Sequence, residues 1–205
     1  MKLLGISTSP RLKGNSDLLL REALAGAEAA GARIEYLRLC DMKIGPCIEC
    51  NCCYKTGKCK IEDDYQTVLD KILDADRLIF ATPVFFMTVC SQAKMLIDRG
   101  QCLWAGKYIL KKPLFEIPQR DRRAMVIAVG GSKSIKQFDG IRLTMKTYFD
   151  VLEIKYFANL FVNKIDSLGA IKKHPSALKE AFALGQQLAS TDVPLPEKSI
   201  DIVLT

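Results

Sequence analysis

"KLLGISTSPRLKGNSDLLLREALAGAEAAGA", residues 2–32, sets the reading of the whole chain. Its first six residues form a short apolar run, the mark of a strand buried on both faces. The ten from Ser7 to Ser16, STSPRLKGNS, are dense in Ser, Pro, Gly and Asn, which favour turns. Residues 16–32 then combine helical spacing with strong helix formers, and Asn15 or Ser16 stands where a helix cap is expected. Strand, loop and helix repeat along the chain. RIEYLRL (33–39) alternates as a second strand, and DDYQTVLDKILDA (63–75) is an amphipathic helix with acidic residues in its first turn. RLIFATP (77–83), AMVIAVGG (124–131) and EIKYFANLFV (153–162) are three further strands. Between and after them, residues 91–104, 140–152 and 175–190 read as helices, the last opened by Pro175. The pattern predicts an α/β fold: a doubly wound five-stranded parallel sheet in the order 2-1-3-4-5, with a cysteine-rich loop after the second strand. One domain is expected over residues 1–190, followed by an extended tail, 191–205, that carries two prolines. Residues 105–123 break the rhythm and read as an insertion or an interface element.

Composition narrows the classes. With 49% hydrophobic and 26% charged residues, the 205-residue chain can build a core and remain in water. No apolar run is long enough to span a bilayer. The N-terminal MKLLGISTSPR lacks the long apolar region of a secretory signal, so a cytoplasmic protein with reduced thiols is expected. The net charge of +7 suits an anionic ligand or an acidic partner, or simply reflects Lys and Arg on solvated helix faces. It is dispersed and not interleaved with aromatic residues, which argues against nucleic acid.

In such sheets, ligands sit beyond the carboxyl ends of the strands. The loop after the first strand is neither a G-x-G-x-x-G fingerprint nor a Walker loop. It offers hydroxyls (Ser7, Thr8, Ser9, Ser16), Asn15 and Arg11 ahead of a helix N-terminus, the donors and positive potential that a phosphate monoester needs. The loop after the third strand is apolar where a polar one would be ordinary. Pro83 stiffens it, and Val84, Phe85, Phe86 and Met87 could cover a flat ring or pack into the core or an interface.

Five of the eight cysteines fall within PCIECNCCYKTGKC, residues 46–59. Cys47, Cys50, Cys53 and Cys59 form C-x2-C-x2-C-x5-C. Two x2 spacings in series let one tight loop wrap three corners of a cubane cluster, and a turn at Gly57 brings in the fourth thiolate. Structural zinc usually takes two C-x2-C knuckles separated by a longer spacer, and no second knuckle follows, so zinc is the secondary reading. Cys52 is left over, and Cys40, Cys90 and Cys102 read as core or near-site packing. The one histidine, His174, lies in the polar run KKHPS and reads as a solvated surface residue. A histidine-based hydrolytic triad is therefore excluded. No cysteine has an arginine six positions later, as a phosphatase loop requires, and the third strand ends without the carboxylates of a phospho-receiver. The chemistry then belongs to cofactors.

SPRLKGNS, CIECNCCYKTGKCKIEDD and TPVFFMTVCSQAKMLIDR, in that order, resemble the iron–sulfur flavoprotein branch of the NADPH-dependent FMN reductase family. The resemblance runs from Lys2 to about Gly131. It implies a flavodoxin-like fold, an FMN phosphate held by Ser9, Arg11, Asn15 and Ser16, and an isoalloxazine lined by Pro83, Val84, Phe85, Phe86 and Met87. Gly131 and Ser132 stand where the family's next flavin-edge loop begins. It also implies a 4Fe–4S cluster on Cys47, Cys50, Cys53 and Cys59, and a homo-oligomer in which a cluster approaches a neighbour's flavin. Residues 102–118, with Trp104, Tyr108 and Phe115, are the candidate interface. The function expected is electron transfer between a one-electron, ferredoxin-like donor, the cluster and FMN, reducing a small or protein acceptor. The alternatives are an NAD(P)H-dependent FMN or quinone reductase without a functional cluster, and a redox-sensing or metal-binding module without turnover.

Overall fold

The computed structural model describes residues 1–115 and 121–205. β1 (Lys2–Ser7) lies one strand in from the edge of a parallel sheet, between β2 (Arg33–Arg38) and β3 (Arg77–Phe85), with Gly5 level with both Tyr36 and Ile79. β5 (Arg123–Val129) and β6 (Lys155–Val162) follow β3 outward. The five expected strands thus take the expected order, the flavodoxin-like one. The sheet nevertheless has seven strands, not five. β4 (Thr88–Val89) folds back antiparallel on the end of β3, and the tail supplies β7 (Ile200–Leu204), parallel to β6. Asp201 anchors that edge strand by accepting from Arg142 Nη2 at 2.9 Å and Asn159 Nδ2 at 3.1 Å. The alternation in IDIVL after two prolines is a strand signal.

α1 (Asn15–Ala29) and α7 (Ala177–Ala189) cover one face of the sheet. α3 (Tyr65–Asp74), α4 (Ser91–Arg99) and α6 (Asp139–Val151) cover the other, and the four-residue α2 (Cys53–Thr56) lies in the cysteine loop. The helix expected over 91–104 breaks at Gly100 into α4 and α5 (Gln101–Trp104), which runs on into a π-helical turn, Ala105–Ile109. A Cβ at Gly100 would lie 2.8 Å from Ile97 O and 3.2 Å from the Tyr148 ring, so α6 packs closely here. The proposed interface stretch 102–118 is described as far as Phe115; its last three residues lie outside the described residues.

Two expectations need correction. The basic residues do not all solvate helix faces, because Arg77, Arg99, Arg122 and Arg123 are buried. Arg122 donates to Ile72 O at 2.7 Å, Ala75 O at 3.1 Å and Leu152 O at 2.6 Å, satisfying carbonyls that the ends of α3 and α6 leave open. His174 is not a free surface group. Its Nδ1 accepts from Ser176 N and Ala177 N at 3.3 and 3.1 Å, capping α7.

α1 and α7 pack through glycine. A Cβ on Gly26 would lie 2.0 Å from Phe182 O, and one on Gly185 1.9 Å from Ala23 O. Neither obstacle is a flexible side chain, so the helices must separate to admit a methyl group. Gly185→Ala should cost about 2–3 kcal/mol of stability, read as a lower urea midpoint at unchanged slope. An unshifted midpoint would contradict this packing.

Candidate functional site

A solvent-open pocket with about 490 Å³ of empty space lies at the carboxyl edge of the sheet, where β1, β3, β5 and β6 end. Ser9, Arg11, Asn15 and Ser16 line it from the first loop, Pro83, Val84 and Phe85 from the third-strand loop, and Gly131 from the loop after β5. Three separate segments singled out in the sequence therefore meet. Gly14, not Asn15 or Ser16, occupies the cap position of α1, and no side chain caps the helix. The first-turn N–H groups are thus free of side-chain partners at the pocket wall, in the arrangement that suits an anion. Asp17, in the same turn, has its charge matched by Arg21 Nε at 3.0 Å and takes the Tyr36 hydroxyl at 2.7 Å. Gly14 is needed for closeness: a Cβ there would sit 2.5 Å from Ser9 Oγ.

Asn15 has a different task from the capping expected of it. Its Nδ2 donates to Ser167 O at 2.9 Å and its Oδ1 accepts from Ile171 N at 3.2 Å, while Arg11 Nη1 donates to Asp166 O at 3.1 Å. These bonds tie the first loop to the loop after β6, whose Ile165 and Asp166 also line the pocket. The sequence reading missed that loop. Its signal was positional, a polar turn directly after the fifth expected strand. Cys90 and Cys40 buttress the first loop from behind, with their thiols at 3.1 Å from Thr8 O and 3.3 Å from Ser9 O.

Three expected residues do not line this pocket. Phe86 and Met87 form the two-residue turn of the β3–β4 hairpin, beyond its last pair, Phe85–Thr88. Both have left-handed backbone, φ 45° and 66°, and the Phe86 side chain is fully exposed. Ser132 turns into its own loop, where its Oγ accepts from Ser134 N at 3.1 Å and its carbonyl from Gln137 Nε2 at 2.9 Å.

The four spaced cysteines gather elsewhere. Cys47, Cys50, Cys53 and Cys59 line one recess together with Arg99 and Cys102, and Cys52 does not. The backbone coils back on itself through left-handed residues at Glu49 (φ 52°), Asn51 (φ 56°) and Gly57 (φ 74°). Burial pushes the Cys53 and Cys102 thiols up, whereas the backbone N–H of Cys52 pulls Cys50 below the usual thiol range. Arg99 Nε donates to Cys59 Sγ at 3.2 Å. In number and kind this donor set suits a four-thiolate centre, and all four line the same recess. Among the described residues, no three His, Cys, Asp or Glu side chains are drawn closely enough together to hold a metal ion. No residue lines both the recess and the first pocket.

Residues 1–141 match the NADPH-dependent FMN reductase family. The chain belongs to that family. An iron–sulfur flavoprotein of Methanocaldococcus jannaschii is 41% identical over 134 residues, 65% of this chain and 64% of that protein. The chain thus spans a little under two thirds of that relative's length. An iron–sulfur flavoprotein of Methanosarcina thermophila is 27% identical over 190 residues, 93% of this chain and 90% of its own. A second iron–sulfur flavoprotein of Methanocaldococcus jannaschii is 34% identical over 155 residues, 75% of this chain and 73% of its own, and with the family match it places the chain in the iron–sulfur flavoprotein branch. Among solved structures, a flavone reductase superposes with a TM-score of 0.68 at 24% identity, covering 92% of this chain and 62% of that one; this likeness shows the fold alone.

The recess depends on one buried ion pair. Burial works against the Asp63 carboxylate, but the Arg99 fork and the backbone N–H groups of Gly45 and Tyr65 outweigh it and hold Asp63 below the usual carboxylate range. A carboxyl depressed in the folded state contributes stability above its unfolded pKa, about 3.9, and loses it as pH falls through the folded value. Asp63→Asn should therefore cost about 3 kcal/mol at neutral pH, with the deficit shrinking below about pH 4, as urea melts across that range would show.

Proposed function

We propose that the chain is an iron–sulfur flavoprotein that binds FMN at the sheet edge and a 4Fe–4S cluster on Cys47, Cys50, Cys53 and Cys59. It would transfer electrons from a one-electron, ferredoxin-like donor to a small or protein acceptor. The observation that carries this reading is the gathering of four spaced thiols around one recess, on a chain whose sheet edge separately forms an anion-suited pocket. Ser9, Arg11, Asn15, Ser16 and the first turn of α1 would hold the FMN phosphate, and Pro83, Val84 and Phe85 would lie along the isoalloxazine, with Phe86 and Met87 overhanging it from the hairpin tip. FMN accepts one or two electrons and the cluster one, so the pair joins one-electron to two-electron chemistry. The protein's part is to hold and orient both.

The absence of a common wall between the two sites supports a homo-oligomer that brings a recess to a neighbour's flavin pocket. Trp104 and Tyr108, partly exposed beside the cysteine loop, support that contact surface. The +7 charge supports an acidic donor. The recess also favours a cytoplasmic setting, where thiols stay reduced. The family's description as NADPH-dependent favours a second reading, direct hydride reduction of the flavin with an idle cysteine loop.

Cys50 is the most informative position, because it is exposed and its loss leaves the core intact. In anaerobic preparations, Cys50→Ala should lose the broad cluster absorbance and most acid-labile sulfide while keeping one FMN per chain. Iron and sulfide equal to wild type would refute the ligand set. Fast bleaching of the wild-type flavin by NADH or NADPH would favour the second reading.

A further inference from the structure

Arg99 closes α4, its side chain is fully buried, and all five of its guanidinium N–H donors are committed. Two form a fork on Asp63, Nη1 to Oδ2 at 2.7 Å and Nη2 to Oδ1 at 3.2 Å. Two reach backbone carbonyls, Gly45 O and Ile61 O, each at 3.1 Å. The fifth, from Nε, reaches Cys59 Sγ at 3.2 Å. The Tyr65 ring lies against the guanidinium, 4.6 Å from centroid to Cζ. These partners bracket the cysteine segment: Gly45 lies just before Cys47, and Ile61 and Asp63 lie just after Cys59. One side chain therefore ties both necks of the loop to the end of α4. A buried guanidinium with every donor engaged cannot swing away without stranding one of them. The fork and the two carbonyls fix the plane, and the plane fixes where Nε–H points.

We propose that Arg99 is a positioning residue for the cysteine centre: it holds the loop closed and donates a charge-assisted N–H···S hydrogen bond that keeps the Cys59 thiolate turned to the recess. The inference rests on the four-thiolate reading above. A donor held in one plane fixes the direction of the sulfur it meets, and partners of this kind around metal ligands typically tighten metal binding 10–100-fold. Lysine cannot replace it, having no fork and no Nε–H held in plane by two other nitrogens.

The test uses the full chain with FMN and its cysteine loop loaded with ¹¹³Cd²⁺. In wild type, magnetisation should pass between ¹¹³Cd and an arginine Nε–H across the N–H···S bond, giving a cross-peak identified by arginine-selective ¹⁵N labelling. R99K should lack that peak and, in chelator competition, hold Cd²⁺ about 10–100-fold more weakly with unchanged FMN affinity. Equal Cd²⁺ affinity in R99K overturns the proposal, as does cadmium bound to the four cysteines of wild type without the cross-peak. Should R99K fail to fold, the wild-type spectrum decides alone. If wild type takes up no cadmium at these cysteines, the four-thiolate reading falls and the role of Arg99 falls with it.

Discussion

The reversal of strand order at β1 is the constraint on which the rest of the molecule depends. The chain leaves β1, crosses one face of the sheet through α1, and lays down β2 on one side. It then crosses the opposite face through α3 to lay down β3 on the other. Parallel crossovers keep one hand, so once the order reverses the two connections must lie on opposite faces. The loop leaving β1 therefore opens at the carboxyl edge, where the neighbouring connections part and a ligand can enter. The long loop leaving β2 is carried to the α3–α4 face and settles against α4 and α5. Two binding chemistries thus occupy different surfaces although their loops leave adjacent strands.

What fastens the second loop is not apolar burial alone, although Cys53 belongs to the core and Ile44 and Cys59 pack against it. Cys47, Cys50 and Cys59 are not buried, and of the recess thiols only Cys53 and Cys102 belong to the core. The fastening is ionic and directional, through a guanidinium that meets Asp63, two carbonyls and a sulfur at once. A buried ion pair contributes less to net stability than a well-packed apolar pair of the same volume, because both charges lose their hydration. It does impose one geometry, since each donor has one place to go. A loop that must present several thiols to one point needs that kind of specification more than it needs depth in a core.

The sequence carried the architecture in its periodicities, and the limits of that reading have physical causes. Strand order follows from apolar runs alternating with helical spacing and holds from Lys2 to Val162, with a pocket at the carboxyl edge. The edge strand Ile200–Leu204 lies in the stretch that the two prolines mark as an extended tail, although IDIVL alternates as a strand does. The three pocket loops could be located because ligand sites follow strand ends. The loop after β6 escaped because its contribution is made by backbone: Ser167 O and Ile171 N, the partners of Asn15, leave no mark in residue type. His174 and Arg122 differ from the sequence expectation for a related reason: a polar side chain that caps a helix end looks, in sequence, like one that faces water.

The hairpin tip of Phe86 and Met87 shows where local stability has been given up. Two-residue turns with left-handed backbone at both positions favour Asn-Gly, since each ordinary residue held there costs about 1–2 kcal/mol. Here both positions carry large apolar side chains, and that of Phe86 is fully exposed among the described residues. Strain and exposure both weigh against the free chain, so local folding alone does not account for this pair. A surface that covers the tip would recover the hydrophobic term, and an apolar side chain held rigidly by a strained turn loses little entropy when covered. The turn stands directly after Phe85 on the pocket wall, so a planar ligand seated on that wall and a second subunit laid over it would both reach the same two side chains.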